Sequence, residues 1–427
     1  MRRMMLLAGL LVVAGCGSDG NDKQAKNSDG NNGAASNTDQ ADGRNGSASK
    51  ESRSASPKSS AATMVKQAEK LIVQRQMAKA VELLSKAIGL DADNADAYYH
   101  RARAYAMARQ DANALADYSA AMRIAPKRAR LYYSRGYFYL SRRLPDKAIA
   151  DLEKSVELDP NEIEPLQFLG LAHVAKNEFQ QALAIYEKAL KLKPKSSDVY
   201  NNRGFAYLRA KQHDQAIADF EQAIRLNPDS VNPYSNLGLT YFAMDDYQKS
   251  IDYFSQAVQR SPNNPGLYIQ RREAYLKLGM ETEAAADAAK LAWLKQLGLL
   301  NLIIARRPND AAKYVERARH LLKAGEESAA LKDFGRAIKV NPKYARALTA
   351  RAAYWLEKRE YDRAIDDCDN AIDINIDEYI QEAYSIRGDA WMKKGDYDRA
   401  IADFGKAKRF GATLVQAYLL RAKSLKL

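Results

Sequence analysis

Residues 197–230 read SDVYNNRGFAYLRAKQHDQAIADFEQAIRLNPDS, and residues 231–264 read VNPYSNLGLTYFAMDDYQKSIDYFSQAVQRSPNN. Set one beneath the other, the two lines agree in kind at an offset of 34 residues. Tyr200 meets Tyr234, Gly204 meets Gly238, Tyr207 meets Tyr241 and Pro228 meets Pro262. Each column has a physical reason. Glycine lets two helices approach closely, the second tyrosine fills the space between them, Ala216 keeps a second helix slim, and proline stops that helix before the next begins. A period of this length means stacked helix pairs, so the fold class is all-α with no strands.

The same columns recur outward in both directions. First helices contain AYYHRARAY (97–105), LYYSRGYFY (131–139), LYIQRREAY (267–275) and EAYSIRGDAW (382–391), and second helices contain segments such as QALAIYEKALKLKP (181–194). The columns are filled again by Gly136, Gly170 and Gly388, by Ala114, Ala148, Ala182 and Ala400, and by Pro126, Pro160, Pro194 and Pro342. With an aromatic at the fourth place, Gly or Ala at the eighth, Tyr at the eleventh, Ala at the twentieth and Pro at the thirty-second, the chain resembles tetratricopeptide (TPR) repeats. The resemblance implies an α-solenoid, a right-handed superhelix of about ten helix pairs. They would start at Ala61, Ala95, Ala129, Ile163, Ser197, Val231, Pro265, Ala311, Ala345 and Gln381. Repeats one to seven then occupy 61–298 and repeats eight to ten 311–414, with 415–427 as a capping helix over the open end. The first repeat is degenerate, with Gln67 and Ala68 where others have Arg and Gly.

The period slips twice. About twelve extra residues follow the seventh repeat, and 299–310 are expected as an insertion or extended helix that breaks the array in two. A helix lengthened by ~12 residues ends a third of a revolution out of phase. The smaller slip, near Tyr379 and Ile380, is expected to be a longer loop.

Two columns vary together. The seventh place is Arg101, Arg135, Arg203, Arg271, Arg317, Arg351 and Arg387, and in those same repeats the twenty-third is Asp117, Asp151, Asp219, Asp287, Asp333, Asp367 and Asp403. In repeat four the two are Leu169 and Ile185, and in repeat six Leu237 and Tyr253. Losing one charge strands the other at a cost of several kcal/mol, whereas replacing both by apolar groups is near neutral. The two places are therefore expected to touch within one repeat. Pairing with the next repeat fits worse, because Asp151 would meet Leu169. The net charge of +13 then belongs to other patches, such as Lys191, Lys193 and Lys195, Arg306 and Arg307, or Lys408 and Arg409.

The TPR resemblance also implies a concave groove lined by the second, fifth, sixth, ninth, twelfth and thirteenth places of the first helices. In this chain those places give Tyr99, His100, Tyr133, Tyr137, Phe168, Asn201, Asn202, Phe205, Arg209, Asn236 and Phe242. Aromatic anchors interleaved with amides suit an extended peptide, since rings take side chains and asparagine bonds a backbone as donor and acceptor. The carboxylate clamp of co-chaperone members is absent from any three neighbouring first helices. Of the asparagine ladder of glycosyltransferase members only Asn202 and Asn236 are present.

At the N-terminus, Arg2 and Arg3 precede an apolar run, Leu6 to Ala14, which reads as a signal peptide over 1–15. That run is about half the ~20 residues needed to cross a bilayer, and no other segment is a better candidate for a span. Val13-Ala14-Gly15-Cys16 resembles a bacterial lipobox, which implies a lipidated Cys16. The residue after it is Gly17 rather than Asp, which favours the outer membrane, facing the periplasm, in a Gram-negative host. Residues 16–60 are Gly, Ser, Asn, Asp and Ala with scattered Lys and Arg, the composition of a disordered tether. Cys368 has no disulfide partner and suits a helical core.

No HExxH, Walker loop, dinucleotide-binding glycine cluster or GxSxG elbow occurs, and His100, His173, His213 and His320 lack metal spacing. The sequence thus points away from an enzyme, with no cofactor, no metal and no nucleic acid expected. The function that the resemblance implies is a scaffold gathering other envelope proteins or peptides, anchored to the membrane through lipid. The alternative is a structural envelope protein binding an anionic polymer or lipid through a basic surface.

Overall fold

The computed structural model describes residues 56–375 and 377–425. Cys16, the signal peptide and most of the expected tether lie outside the described residues. Among those described the chain is helical throughout, with 21 helices and no strand. The first repeats are the pairs α1 (Pro57–Val73) and α2 (Met77–Leu90), α3 (Ala95–Met107) and α4 (Asp111–Ile124), and α5 (Ala129–Ser141) and α6 (Pro145–Leu158). There follow α7 (Ile163–Ala175) and α8 (Phe179–Leu192), α9 (Ser197–Arg209) and α10 (His213–Leu226), and α11 (Val231–Ala243) and α12 (Tyr247–Arg260). The seventh pair is α13 (Pro265–Lys277) and α14 (Glu281–Arg306), and the eighth is α15 (Ala311–Leu322) and α16 (Glu327–Val340). The rest are α17 (Ala345–Glu357), α18 (Tyr361–Ile374), α19 (Asp377–Lys394), α20 (Tyr397–Lys406) and α21 (Ala412–Ser424).

Most pairs are closed by one repeated contact, between the eighth and twenty-fourth places; the seventh has Arg272 and Ala288 there. A Cβ added at Gly204 would lie 2.8 Å from the Phe220 ring, at Gly238 2.7 Å from Phe254, and at Gly170 2.5 Å from Tyr186. The ring of the second helix rests directly on the backbone of the first. Where the eighth place is alanine the same packing holds Tyr118, Phe334 and Cys368, each buried. Burial pushes the Cys368 thiol well above its ordinary range. The turn within each pair places its fifteenth residue in the left-handed region, from Arg75 (φ 57°) and Arg109 (φ 61°) to Gly279 (φ 70°) and Gly395 (φ 82°). Seven of these ten residues are not glycine, which hides the turn from a search for Gly.

The chain divides into two compact units between Ala284 and Ala285. In the first unit, first helices pack on the first helices of the next repeat, α1 on α3, α7 on α9 and α9 on α11, whereas neighbouring second helices barely meet. The first-helix layer is therefore the inner one.

Several expected boundaries move. Helix α1 begins at Pro57, where Ser56 caps it by accepting from the Ser59 N–H at 3.3 Å, so residues 57–60 are helix rather than tether. Of the two readings of 299–310, a separate insertion or an extended helix, the extended helix is observed: α14 runs unbroken from Glu281 to Arg306, and 307–310 form the turn before α15. Ile304 on its later turns is buried in one cluster with Ala311, Tyr314 and Val315, and Leu300 is also buried. By length and composition α14 is also apolar enough to cross a membrane, a better candidate than residues 6–14. Its apolar run includes these packing residues. The slip at Tyr379 and Ile380 is not a loop either: Asn375 turns the chain in the left-handed region and α19 starts at Asp377. Helix α21 begins at Ala412 and buries Ala417, but Val415, Tyr418 and Leu419 on its other face are exposed.

Candidate functional site

Six of the arginines at the seventh place lie against the aspartate at the twenty-third place of the same repeat. Arg203 Nε and Nη2 donate to the two carboxylate oxygens of Asp219, both at 2.8 Å. Arg101 and Asp117, Arg135 and Asp151, Arg317 and Asp333, Arg351 and Asp367, and Arg387 and Asp403 repeat the two-point geometry at 2.6 to 2.8 Å. The aspartates are buried and the arginines half-buried. The hydrogen bonds to aspartate hold these guanidiniums above their ordinary pKa against the opposing effect of burial. In the seventh repeat Arg271 donates to Ser255 at 3.1 Å, and Asp287 is buried.

Two further features of this pair were not read from the sequence. In several repeats the third nitrogen of the arginine reaches back to the preceding second helix, where Arg101 donates to Ser85 at 2.9 Å and Arg387 to Asp369. Arg317 finds Asn301 of α14 at 2.7 Å, so the lengthened helix presents to repeat eight what an ordinary second helix presents to the others. The arginine also lies between the tyrosines of the fourth and eleventh places: Arg203 sits 5.5 Å from the Tyr200 ring and 5.9 Å from Tyr207. The fourth-place hydroxyl in turn donates to the proline carbonyl six residues back, as in Tyr132 to Pro126 and Tyr314 to Pro308, both at 3.1 Å. The hydroxyl explains why these places hold Tyr rather than Phe.

The candidate groove residues separate into two sets. Tyr99, His100, Asn201, Phe205 and Asn236 are buried and do not form an open surface. Their polar groups bond across repeats instead: Asn236 Nδ2 donates to Asn201 Oδ1 at 2.9 Å, and Ser134 donates to the Tyr99 hydroxyl at 3.3 Å. The pairing joins the fifth place of one repeat to the sixth of the next, so these amides stitch the inner layer together. Tyr133, Tyr137, Phe168, Asn202, Arg209 and Phe242 remain partly exposed. Phe168 meets Tyr137 edge-on at 5.0 Å and Tyr133 at 5.8 Å. Phe242 meets Tyr247 at 5.2 Å, and Arg209 donates to Asn177 at 2.9 Å. Burial, and then the Arg103 guanidinium, push His100 down to about 4 against the opposing pull of Asp96. The ring is thus neutral and donates to Glu69 at 2.8 Å.

Profiles described as tetratricopeptide repeat match residues 197–230 and 231–264, residues 129–162 and residues 315–379, and a TPR repeat profile matches residues 170–211. Tetratricopeptide repeats are present in this chain. Repeats of this kind are in general non-enzymatic modules for protein interaction. Among solved structures, PilF of Pseudomonas aeruginosa is 16% identical with a TM-score of 0.43, covering 51% of this chain and 97% of that one. PilW, a type IV pilus biogenesis factor, is 18% identical with a TM-score of 0.45, covering 48% and 96%. YrrB, a TPR protein with an unusual peptide-binding site, is 21% identical with a TM-score of 0.35, covering 44% and 96%. No curated protein matches the sequence.

Set against this tetratricopeptide frame, the sequence carried a signal for the buried groove positions that went unread. A residue at the fifth place whose polar partner stands 35 residues later, as Asn201 with Asn236 or Ser235 with Gln270, is reaching toward a neighbouring repeat rather than a ligand.

Proposed function

We propose that this tetratricopeptide chain is a scaffold of the bacterial cell envelope that binds an extended peptide of a partner protein on the inner face of repeats three to six. The observation that carries the reading is the partly exposed cluster of Tyr133, Tyr137 and Phe168. Rigid rings at one level of the first-helix layer offer apolar area at small entropic cost. Asn202, Arg209 and Phe242 continue that face into the next two repeats, and Asn202 and Arg209 supply donors for a peptide backbone. The membrane attachment in this proposal rests on Cys16 after Val13-Ala14-Gly15, and the placement in the outer membrane on Gly17.

Affinity purification from detergent-solubilised envelopes tests the reading. Wild type should retain a protein partner that the variant Tyr137→Ala with Phe168→Ala releases. Failure to retain any partner above background would contradict it. Cys16→Ser should move the protein from the membrane fraction to the soluble one, and unchanged fractionation would remove the anchor from the account.

A further inference from the structure

The second unit contains a cavity of about 450 Å³ between α14, α15 and α17. Its floor is Leu300 and Val315, and Gln296 brings an amide to one side. Arg319 of α15, Lys323 at its C-terminal cap and Arg346 of α17 line its rim, all exposed. This is where the excess charge of the chain collects: between Lys290 and Arg346 there are thirteen Lys and Arg against five Asp and Glu. One wall exists only because α14 is longer than an ordinary second helix, since Gln296 and Leu300 lie on its later turns. That wall is fixed by a reciprocal contact with α15. Trp293 Nε1 donates to the His320 carbonyl at 3.1 Å, His320 Nε2 donates to the Trp293 carbonyl at 2.9 Å, and the two rings stack at 5.2 Å.

We propose that this cavity is a second binding site, specific for a short acidic peptide with an apolar residue among its carboxylates. The cations at the rim take carboxylates, and the floor of Leu300 and Val315 takes the apolar side chain. Gln296 supplies an amide that can bond a peptide backbone as donor and acceptor. Glu316 also lines the cavity, held by Lys313 at 2.7 Å, and its charge opposes a densely charged polyanion more than a peptide with spaced carboxylates. The site stands in the second unit and is independent of the inner face of repeats three to six, so either can fail alone.

The test uses the full chain and fluorescence anisotropy with a fluorescein-labelled Glu-Glu-Leu-Glu-Glu peptide. Its Gln-Gln-Leu-Gln-Gln counterpart, inorganic polyphosphate and phosphatidylglycerol vesicles serve as comparison ligands. Arg319→Gln with Arg346→Gln should weaken the acidic peptide by about tenfold, whereas Lys339→Gln with Lys343→Gln, which removes the same charge outside the cavity, should weaken it less than about twofold. Ala312→Trp, which fills the cavity without changing charge, should weaken it by about fivefold or more. Equal losses in the two charge variants, or no loss on filling the cavity, would overturn the proposal. So would binding of polyphosphate or vesicles without binding of the acidic peptide.

Discussion

Repeats four and five are neighbours in the first unit, built on the same helix pair and closed by opposite chemistry. In repeat five, Arg203 and Asp219 share two hydrogen bonds between two tyrosine rings. In repeat four the same places hold Leu169 and Ile185, with Leu166 in place of the first tyrosine, and all three join the apolar core. The difference shows that the two charges are exchanged together, while the ring varies independently, since repeat six keeps Tyr234 without the pair and repeat nine has Leu348 beside Arg351 and Asp367. An arginine stripe that recurs along the sequence is thus consumed inside the repeats, and it gives little reason to expect phosphate or nucleic acid on that surface.

The comparison is broken most severely by removing one charge and leaving the other. Asp219→Ala should cost about 3–4 kcal/mol in urea unfolding, because Arg203 keeps its half-buried position without its acid. Leu169→Arg, which introduces the cation into repeat four without an aspartate, should be comparably destabilising. A loss below about 1 kcal/mol in both would mean that water reaches these places freely.

The two repeats agree at the eighth place, where glycine meets a ring, and there a methyl group should be felt in both. Gly204→Ala forces the Phe220 ring to move from a Cβ at 2.8 Å and should cost about 2 kcal/mol. Gly335→Ala, in helix α16 with nothing within 4 Å of its added Cβ, should instead gain about 0.5–1 kcal/mol. The contrast is read from the shift in thermal midpoint.

The sixth place is Phe168 in repeat four and Asn202 in repeat five, and in repeat two it holds a titratable group. His100 is pushed down to about 4 in the fold, while the unfolded imidazole titrates near 6.5. The unfolded chain therefore binds a proton that the fold excludes. Stability is complete above about pH 6.5 and declines as pH falls toward 4, by about 2 kcal/mol over that interval. His100→Gln should flatten this part of the stability profile. An unchanged slope would mean that other groups set it.

A smaller effect separates the rings of the two repeats. Tyr186 occupies in repeat four the place of Phe220 in repeat five, and its hydroxyl is buried without a hydrogen-bond partner. Tyr186→Phe should stabilise by about 1 kcal/mol, and Phe220→Tyr should do the reverse.

How much of this was legible depended on whether the information was periodic. Eight of the ten first helices begin at the residue that the 34-residue register names, from Ala95 to Ala345, apart from α1 and α19, which start four residues early. Those two gain a turn because the residues before the register are compatible with helix, which a repeat alignment does not examine. The within-repeat meeting of Arg and Asp could be inferred because repeats four and six lack both. The link from Arg101 to Ser85 could not, since that column holds Ser85, Glu187, Gly335 and Asp369 before repeats that all carry the arginine and shows no matched loss. Groove exposure was misread at Asn201 and Asn236 because a family's lining positions describe directions, not solvent access. Within each unit the neighbouring repeat decides that. The turn residues Arg75, Arg109, Arg143, Lys211 and Arg359 gave no signal, as their left-handed backbone is imposed by the packing of the pair they join.

The central claim is that the seventh and twenty-third places form one exchangeable unit within a repeat. A double-mutant cycle in repeat five tests it directly, using Arg203→Leu, Asp219→Ile and the two together, the pair that repeat four already carries. The account predicts that the double variant is within about 1 kcal/mol of wild type and that the coupling energy is about 2–3 kcal/mol. Single losses that add to within about 0.5 kcal/mol of the double would contradict it.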